Sequence, residues 1–309
     1  MNNFKHNLVA AICLMTSLIV TTQANTITID ELALWAGGSI GVGSGVTVSG
    51  PMASALGVNA NSNSSLSSIY TQGNVWLGKG VIVNGDVVAN GSIQTSKNTV
   101  ITGSSNSFSN FVLPQLDTLQ QTVVGTTPIY TAPNATKTLL PGEYSSLSLS
   151  NDTQLNLSSG IYSVSSFWMG SGGTVNVDTS AGDVILNVVG SFTAGSSVKF
   201  ITSGSGNLFV NVFNSDAWLD SRVDFTGVLS VFGGGLGTGT SVNLTGSVYT
   251  TGSMYLGNDT AVTYTHSTQI PEPASLAMFL TIGFIIWKVR QGSTDTSVSV
   301  WSARIMHCY

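Results

Sequence analysis

One seven-residue window recurs nine times along this chain, and it limits the fold more than any other feature. The window usually opens on an apolar residue, passes through Gly, Ser, Asn or Asp, and is apolar again at its seventh position. Its instances are Val42–Val48, Leu77–Val83, Thr95–Ile101, Leu149–Leu155, Met169–Val175, Ala194–Phe200, Leu219–Phe225, Thr238–Leu244 and Leu256–Val262. Successive starts are 35, 18, 54, 20, 25, 25, 19 and 18 residues apart. The short intervals suit one turn of a β-solenoid, and 35 suits two. Period-two alternation of apolar residues makes a strand. Gly, Asn and Asp supply corners with positive φ. A single coil cannot bury its apolar face, but a stack of coils buries a continuous core. A β-sandwich also has short strands and frequent turns, yet a recurring window favours the stack. The expected fold class is therefore all-β, a parallel β-helix or solenoid. A right-handed form is expected, because the strict hexapeptide rhythm of left-handed solenoids is missing.

Composition agrees with this. Charged residues make up 7% of the chain, against about 25% in ordinary globular proteins. Exposed faces must then be covered by Ser, Thr and Asn rather than by ions. Between residues 25 and 269 there are five cations against twelve carboxylates, a net charge of −7. That balance argues against nucleic-acid binding, which needs a basic surface. The two cysteines, Cys13 and Cys308, lie outside this region. Its stability must come from packing and hydrogen bonds, not from disulfides or thiolate metal sites.

The ends of the chain carry targeting signals. Lys5 forms a basic start, Leu8 to Val20 is an apolar run of 13 residues, and Thr22-Gln23-Ala24 places small residues before Asn25. This predicts a signal peptide over 1–24, cut between Ala24 and Asn25. Near the other end, Pro271 and Pro273 terminate whatever strand or helix precedes them. An apolar run from Ala274 to Trp287 follows, then Lys288 and Arg290. The run predicts a single short transmembrane helix with its cations on the cytoplasmic side. The predicted organisation is a solenoid in two parts, 25–106 and 138–267, a sorting segment at 268–290 and an atypical tail at 291–309. An excursion over 107–137 separates the two parts. In it Leu113, Leu116, Leu119 and Val123 recur at helical spacing, and Pro114 suits a first turn, so a short helix against the solenoid is expected.

The order Pro271-Glu272-Pro273, apolar helix, Lys288 and Arg290 resembles the PEP-CTERM sorting signal of Gram-negative bacteria. The resemblance covers about residues 270–290. It implies an exosortase-type processing enzyme as partner. It also implies the inner membrane as anchor before processing, and a cell surface or exopolysaccharide matrix as destination. The run from Pro141-Gly142-Glu143-Tyr144 to the coil at Gly257-Asn258-Asp259-Thr260 resembles bacterial secreted β-solenoid domains of undefined biochemistry. Bactofilin-like polymer-forming proteins have a similar texture. Neither likeness brings catalytic residues.

Chemistry is sparse. Asp216, Asp220, Arg222 and Asp224 form the densest charged cluster, and it reads as solvated corner residues rather than an acid–base pair. Asn151-Asp152 and Asn258-Asp259 read as turn residues. Gly233 to Gly239 has the glycine content of a phosphate loop but no following Lys, and reads as a corner. His266 is the one histidine between residues 25 and 269 and suits a surface or terminal-strand position. No enzyme activity, cofactor or metal is expected. One column stands apart: Trp76, Trp168, Trp218 and Tyr255 each sit just before a window. Because the next residue points inward, alternation points these rings outward. They are a candidate platform for the sugar rings of an exopolysaccharide, a reading that ranks below packing of the column. Packing by the excursion or by a second subunit is the favoured expectation for these rings.

Overall fold

The computed structural model describes residues 27–117, 119 and 122–265. It is an all-β fold in which every paired strand is parallel, the arrangement expected of a β-solenoid. One sheet has 20 strands and the other 11. Each coil contributes a strand to three successive faces. The first coil is typical, with Leu34–Ala36, Ser39–Val42 and Thr47–Val48. Inward residues of all three faces fill one core that runs the length of the stack. Phe167, Phe192, Phe200 and Phe225 pack there ring to ring, with neighbouring centroids 4.9 to 6.4 Å apart.

The predicted corners are where the coils turn. The fourth position of every window has positive φ, between 57° at Asp152 and Asp259 and 75° at Gly172. Two further corners, Asn63 and Asn134, belong to coils whose windows the repeat did not reveal. The amide of a corner residue donates to the carbonyl just before the corner in the adjacent coil. Gly45 to Ser62 (3.0 Å), Arg222 to Thr240 (2.9 Å) and Asp259 to Ser44 (2.9 Å) are examples. The corner therefore carries a hydrogen-bonded ladder of its own, which compensates for the αL conformation at its rungs.

The order of coils in the stack is not their order in the chain. Ser39–Val42 pairs with Gly57–Ala60 on one side and with Met254–Leu256 on the other. Leu34–Ala36 is held in the same way between Met52–Ser54 and residues 248–250. The chain thus begins in the middle of the stack and builds four coils to one end. It then crosses to the far end, and builds seven more back until the last coil docks beneath the first. The 11-stranded sheet runs without a break through this junction.

The crossing segment corrects an expectation. Among the described residues of 107–128 there is no helix; the segment is an extended strap, and Ile129–Tyr130 and Thr136–Leu139 are already strands of the stack. Length explains this. Eleven stacked strands put the ends ten spacings apart, about 48 Å at about 4.8 Å each. The 22 residues of 107–128 would cover only about 33 Å as a helix. The strap lies along the face formed by Leu34–Ala36 and its neighbours. Phe111, Leu113 and Leu116 pack there with Trp35, Ala53, Tyr70, Phe209 and Tyr249 as a second apolar cluster. Trp35 Nε1 donates to Pro114 O (2.9 Å), and Asn90 Nδ2 to Phe111 O (2.8 Å).

Candidate functional site

The open face opposite in character to the strap face is built from the 11-stranded sheet. Its outward residues fall into one register column. From one end it reads Tyr130, Ser148, Trp168, Thr193, Trp218 and Gly237, each paired with the next. It continues through Tyr255, Gly41, Asn59, Trp76 and Gln94. The column therefore crosses the junction between the last coil and the first, and residues 214 positions apart in sequence, Tyr255 and Gly41, become neighbours. All four aromatic residues singled out in the sequence stand in this column. Sequence reasoning missed a fifth, Tyr130, whose coil ends on Lys137 where the window expects an apolar residue. The available signal was its place one residue before Thr131, the same place Trp168 holds before Met169.

The rhythm is regular. Tyr130, Trp168, Trp218 and Tyr255 occupy every second coil, so the backbone positions that carry the rings are about 9.6 Å apart along the stack. Trp76 lies three coils beyond Tyr255, outside this rhythm. None is covered by the strap, which lies on another face. Exposure is 71% for Tyr130, 47% for Trp168, 46% for Trp218, 50% for Tyr255 and 40% for Trp76. Small residues between the rings let them lie down. A Cβ on Gly237 would stand 2.1 Å from Cζ3 of Trp218, and one on Gly41 would stand 3.1 Å from Cδ2 of Tyr255. The Trp218 ring thus fills the space over Gly237, the edge of Tyr255 comes up against Gly41, and both rings keep about half of their surface exposed. The parallel file two residues earlier is short and polar: Ser146, Ser166, Ser191, Asp216, Gly235 and Ser253. Asp216 Oδ1 accepts from Gly235 N (2.8 Å), and Ser39 N donates to Ser253 Oγ (3.2 Å), so this file is fixed to the ladder. The arrangement offers flat apolar surface flanked by hydroxyls, with no cation.

The side chains of the charged cluster are tied by hydrogen bonds to Ser, Asn and backbone groups. Asp220 Oδ2 accepts from Ser196 Oγ (2.7 Å) and its Oδ1 from Ser221 N (2.7 Å). Asp224 Oδ1 accepts from Asn243 Nδ2 (2.7 Å), and Arg222 Nε donates to Ser197 Oγ (3.2 Å). Most of these bonds join one coil to the next. Asn151 and Asn258 act likewise, taking the amides of Ser171 (3.0 Å) and Ser44 (2.9 Å). The carboxyls of Asp86 and Asp178 are held below the ordinary carboxylate value by hydrogen bonds from Ser104 and Ser180. Gly233, with φ 81°, turns the chain before Leu236–Thr238, and Gly237 serves the column. The third face carries Thr, Ser and Asn together with the exposed side chains of Ile82, Val100 and Ile201, and holds a depression of about 310 Å³ whose rim includes Thr47, Ser65, Leu66, Asn84 and Val262.

Among the described residues no cluster of three or more His, Cys, Asp or Glu could hold a metal, and no helix is long and apolar enough to cross a membrane. Ala24, Asn25, His266, Pro271, Glu272, Pro273, Lys288 and Arg290 lie outside the described residues, as do the signal peptide, the transmembrane helix and the tail expected there. Comparison with known protein families, with curated proteins and with solved structures finds no match to this chain.

Proposed function

We propose that this protein is a non-enzymatic, right-handed β-solenoid that is exported, sorted through its Pro271-Glu272-Pro273 segment by an exosortase-type enzyme, and held in a cell-surface matrix. There it acts as a structural adhesive that grips exopolysaccharide on its aromatic column. One observation carries the adhesive part: five exposed rings share one register column on a face that the other described residues leave uncovered. Exposed apolar surface of this size and regularity generally marks a binding site. Aromatic faces stack on the C–H faces of pyranose rings, and flanking hydroxyls hydrogen-bond the sugar rims. Asp86, Asp183, Asp216, Asp220 and Asp224 each accept a hydrogen bond from an adjoining coil. Affinity electrophoresis through gels containing the exopolysaccharide tests the reading. The protein is expected to be retarded, and the double substitution Trp168→Ala, Trp218→Ala to run freely. Equal mobility of the two proteins in the presence and absence of polysaccharide would remove the adhesive role. Sorting has a separate test: Glu272→Ala is expected to leave the protein unprocessed at the membrane.

A further inference from the structure

The spacing of the rings narrows the ligand beyond a general affinity for sugar, a step that rests on the adhesive reading. We infer that the column binds a linear β-1,4-linked glycan lying along the solenoid axis, one sugar per coil, from Tyr130 to Tyr255.

The coil rise fixes a ruler of about 4.8 Å, and the rings mark every second division. In an extended β-1,4-linked pyranose chain each sugar is turned over relative to the one before it. The same ring face therefore returns once per disaccharide, and that repeat is close to two coil rises. A chain laid on the column would meet Tyr130, Trp168, Trp218 and Tyr255 with equivalent sugars. The inverted sugars between them would pass over Ser148 and Thr193, which are too small to obstruct, and over the edge of the Trp218 ring where it covers Gly237. Seven coils separate the outer rings inclusively, so the site takes about seven sugars.

Straightness selects the linkage. The rings occupy one file of one sheet, and Trp218 rests directly over Gly237 in line with that file. Helical α-1,4 and β-1,3 chains curve away from a straight file after a few sugars and would meet one or two rings at a time. The flanking file carries Ser and Asp216 rather than cations, which favours an uncharged chain over a polyuronate. Trp76 falls out of phase with the other rings. It stands an odd number of coils from Tyr255, where an inverted sugar would lie, and Asn59 holds the in-phase place. Trp76 is therefore outside the site.

Titration calorimetry of the full-length processed protein with soluble oligosaccharides of defined length tests this. Cello- and chito-oligosaccharides are expected to bind with affinity that climbs with length and levels off near seven sugars. Laminari- and malto-oligosaccharides of equal length are expected to bind about tenfold more weakly or worse. Trp168→Ala and Trp218→Ala should each lower affinity for the β-1,4 chains by about tenfold, and Trp76→Ala should leave it unchanged. Gly237→Val provides a variant that keeps every aromatic residue. Its new side chain displaces the Trp218 ring, so it should lose affinity as Trp218→Ala does while melting close to the parent. Equal affinity for β-1,3 or α-1,4 chains would overturn the linkage and leave the adhesive reading standing. A full effect of Trp76→Ala would overturn the phase. If no oligosaccharide binds, and the protein instead dimerises in a manner abolished by Trp168→Ala, the column is a self-association face and both readings fall.

Discussion

At the scale of single residues, the fold depends on side chains that complete the backbone's hydrogen bonding inside an almost charge-free body. Ser64, at the fifth position of an undetected window, is buried where Val46, Val81 and Val223 stand in other coils, and its hydroxyl donates to Gly43 O (2.9 Å). Ser54 does the same for Gly38 O (2.9 Å) and accepts from Gly57 N (3.0 Å). Such residues look like surface in sequence, and this is why the coil at Ala60–Leu66 escaped a pattern built on hydrophobicity. Tyr249 gives the scale its test. It lies under the strap in the second apolar cluster, and its hydroxyl donates to Leu32 O (3.4 Å). Burial first, then the nearby Tyr264 and Asp30, push its pKa up to about 12 from the usual 10. Below pH 10 the phenol is neutral in both folded and unfolded chains, and its contribution is intact. Between pH 10 and about 12 only the unfolded chain ionises, so stability falls over that window, by up to about 2 kcal/mol. Thermal melts at pH 9 and pH 11.5 are expected to show a drop that Tyr249→Phe reduces. An identical drop in Tyr249→Phe would assign the alkaline loss to other groups.

The element that organises the molecule is the corner. Eleven corners place one residue each at φ between 57° and 75°, and only three of these are glycine: Gly45, Gly80 and Gly172. Nine of the eleven were legible in the sequence, because the window's alternation on either side marks the fourth position whatever residue fills it. Arg222 shows the limit of reading residues singly. In sequence it looks like the cation of a charged cluster; in the fold it is a corner rung, as Gly80 is. The two corners therefore predict opposite outcomes. Gly80→Val forces a β-branched residue into the αL region and is expected to cost about 2–3 kcal/mol. Arg222→Gly relieves the same strain at the loss of some chain entropy, and is expected to be neutral or to gain up to about 1 kcal/mol. Urea unfolding of the two variants measures both, and a neutral Gly80→Val would show that the corner carries no conformational demand. The strap teaches the converse lesson. Leu113, Leu116, Leu119 and Val123 fit a helix by spacing, but Val123 is exposed, while Leu113 is buried against Trp35 and its neighbours. Spacing along the chain registers which residues are apolar; it does not register the distance the segment must span, and that distance decided the conformation.

At the scale of the whole molecule, local pattern cannot show which coil meets which. Every coil presents the same kind of strand edges, so the windows establish a stack without establishing its order. The order is set by closure: the first coil has one edge that only the last coil fills, and Trp35 pairs with Tyr249 as it does with Ala53. The aromatic column depends on that closure, because Gly41 supplies the place over which Tyr255 lies. It follows that the spatial sequence of the stack is 129–265 and then 27–106, and that the strap is a connection, not a layer of the core. The two ends of the described chain are close, since the Tyr264 hydroxyl donates to Asp30 O. A circular permutant that begins at residue 129, joins 265 to 27 through a few flexible residues and ends at 106 would be a solenoid whose chain order matches its spatial order. It is expected to fold with the parent's circular dichroism and to bind the same oligosaccharides. Its stability should be lower by the burial lost with Phe111, Leu113 and Leu116, about 1.5–3 kcal/mol for each fully buried side chain and less for those half-covered. Because its neighbours in space become neighbours in sequence, the last coil no longer has to find an edge laid down at the start of the chain, and refolding should be faster than in the parent. A permutant that collapses without the parent's strand signal would show that the strap holds the two halves of the stack together, and that closure by the terminal coils alone is too weak to do so.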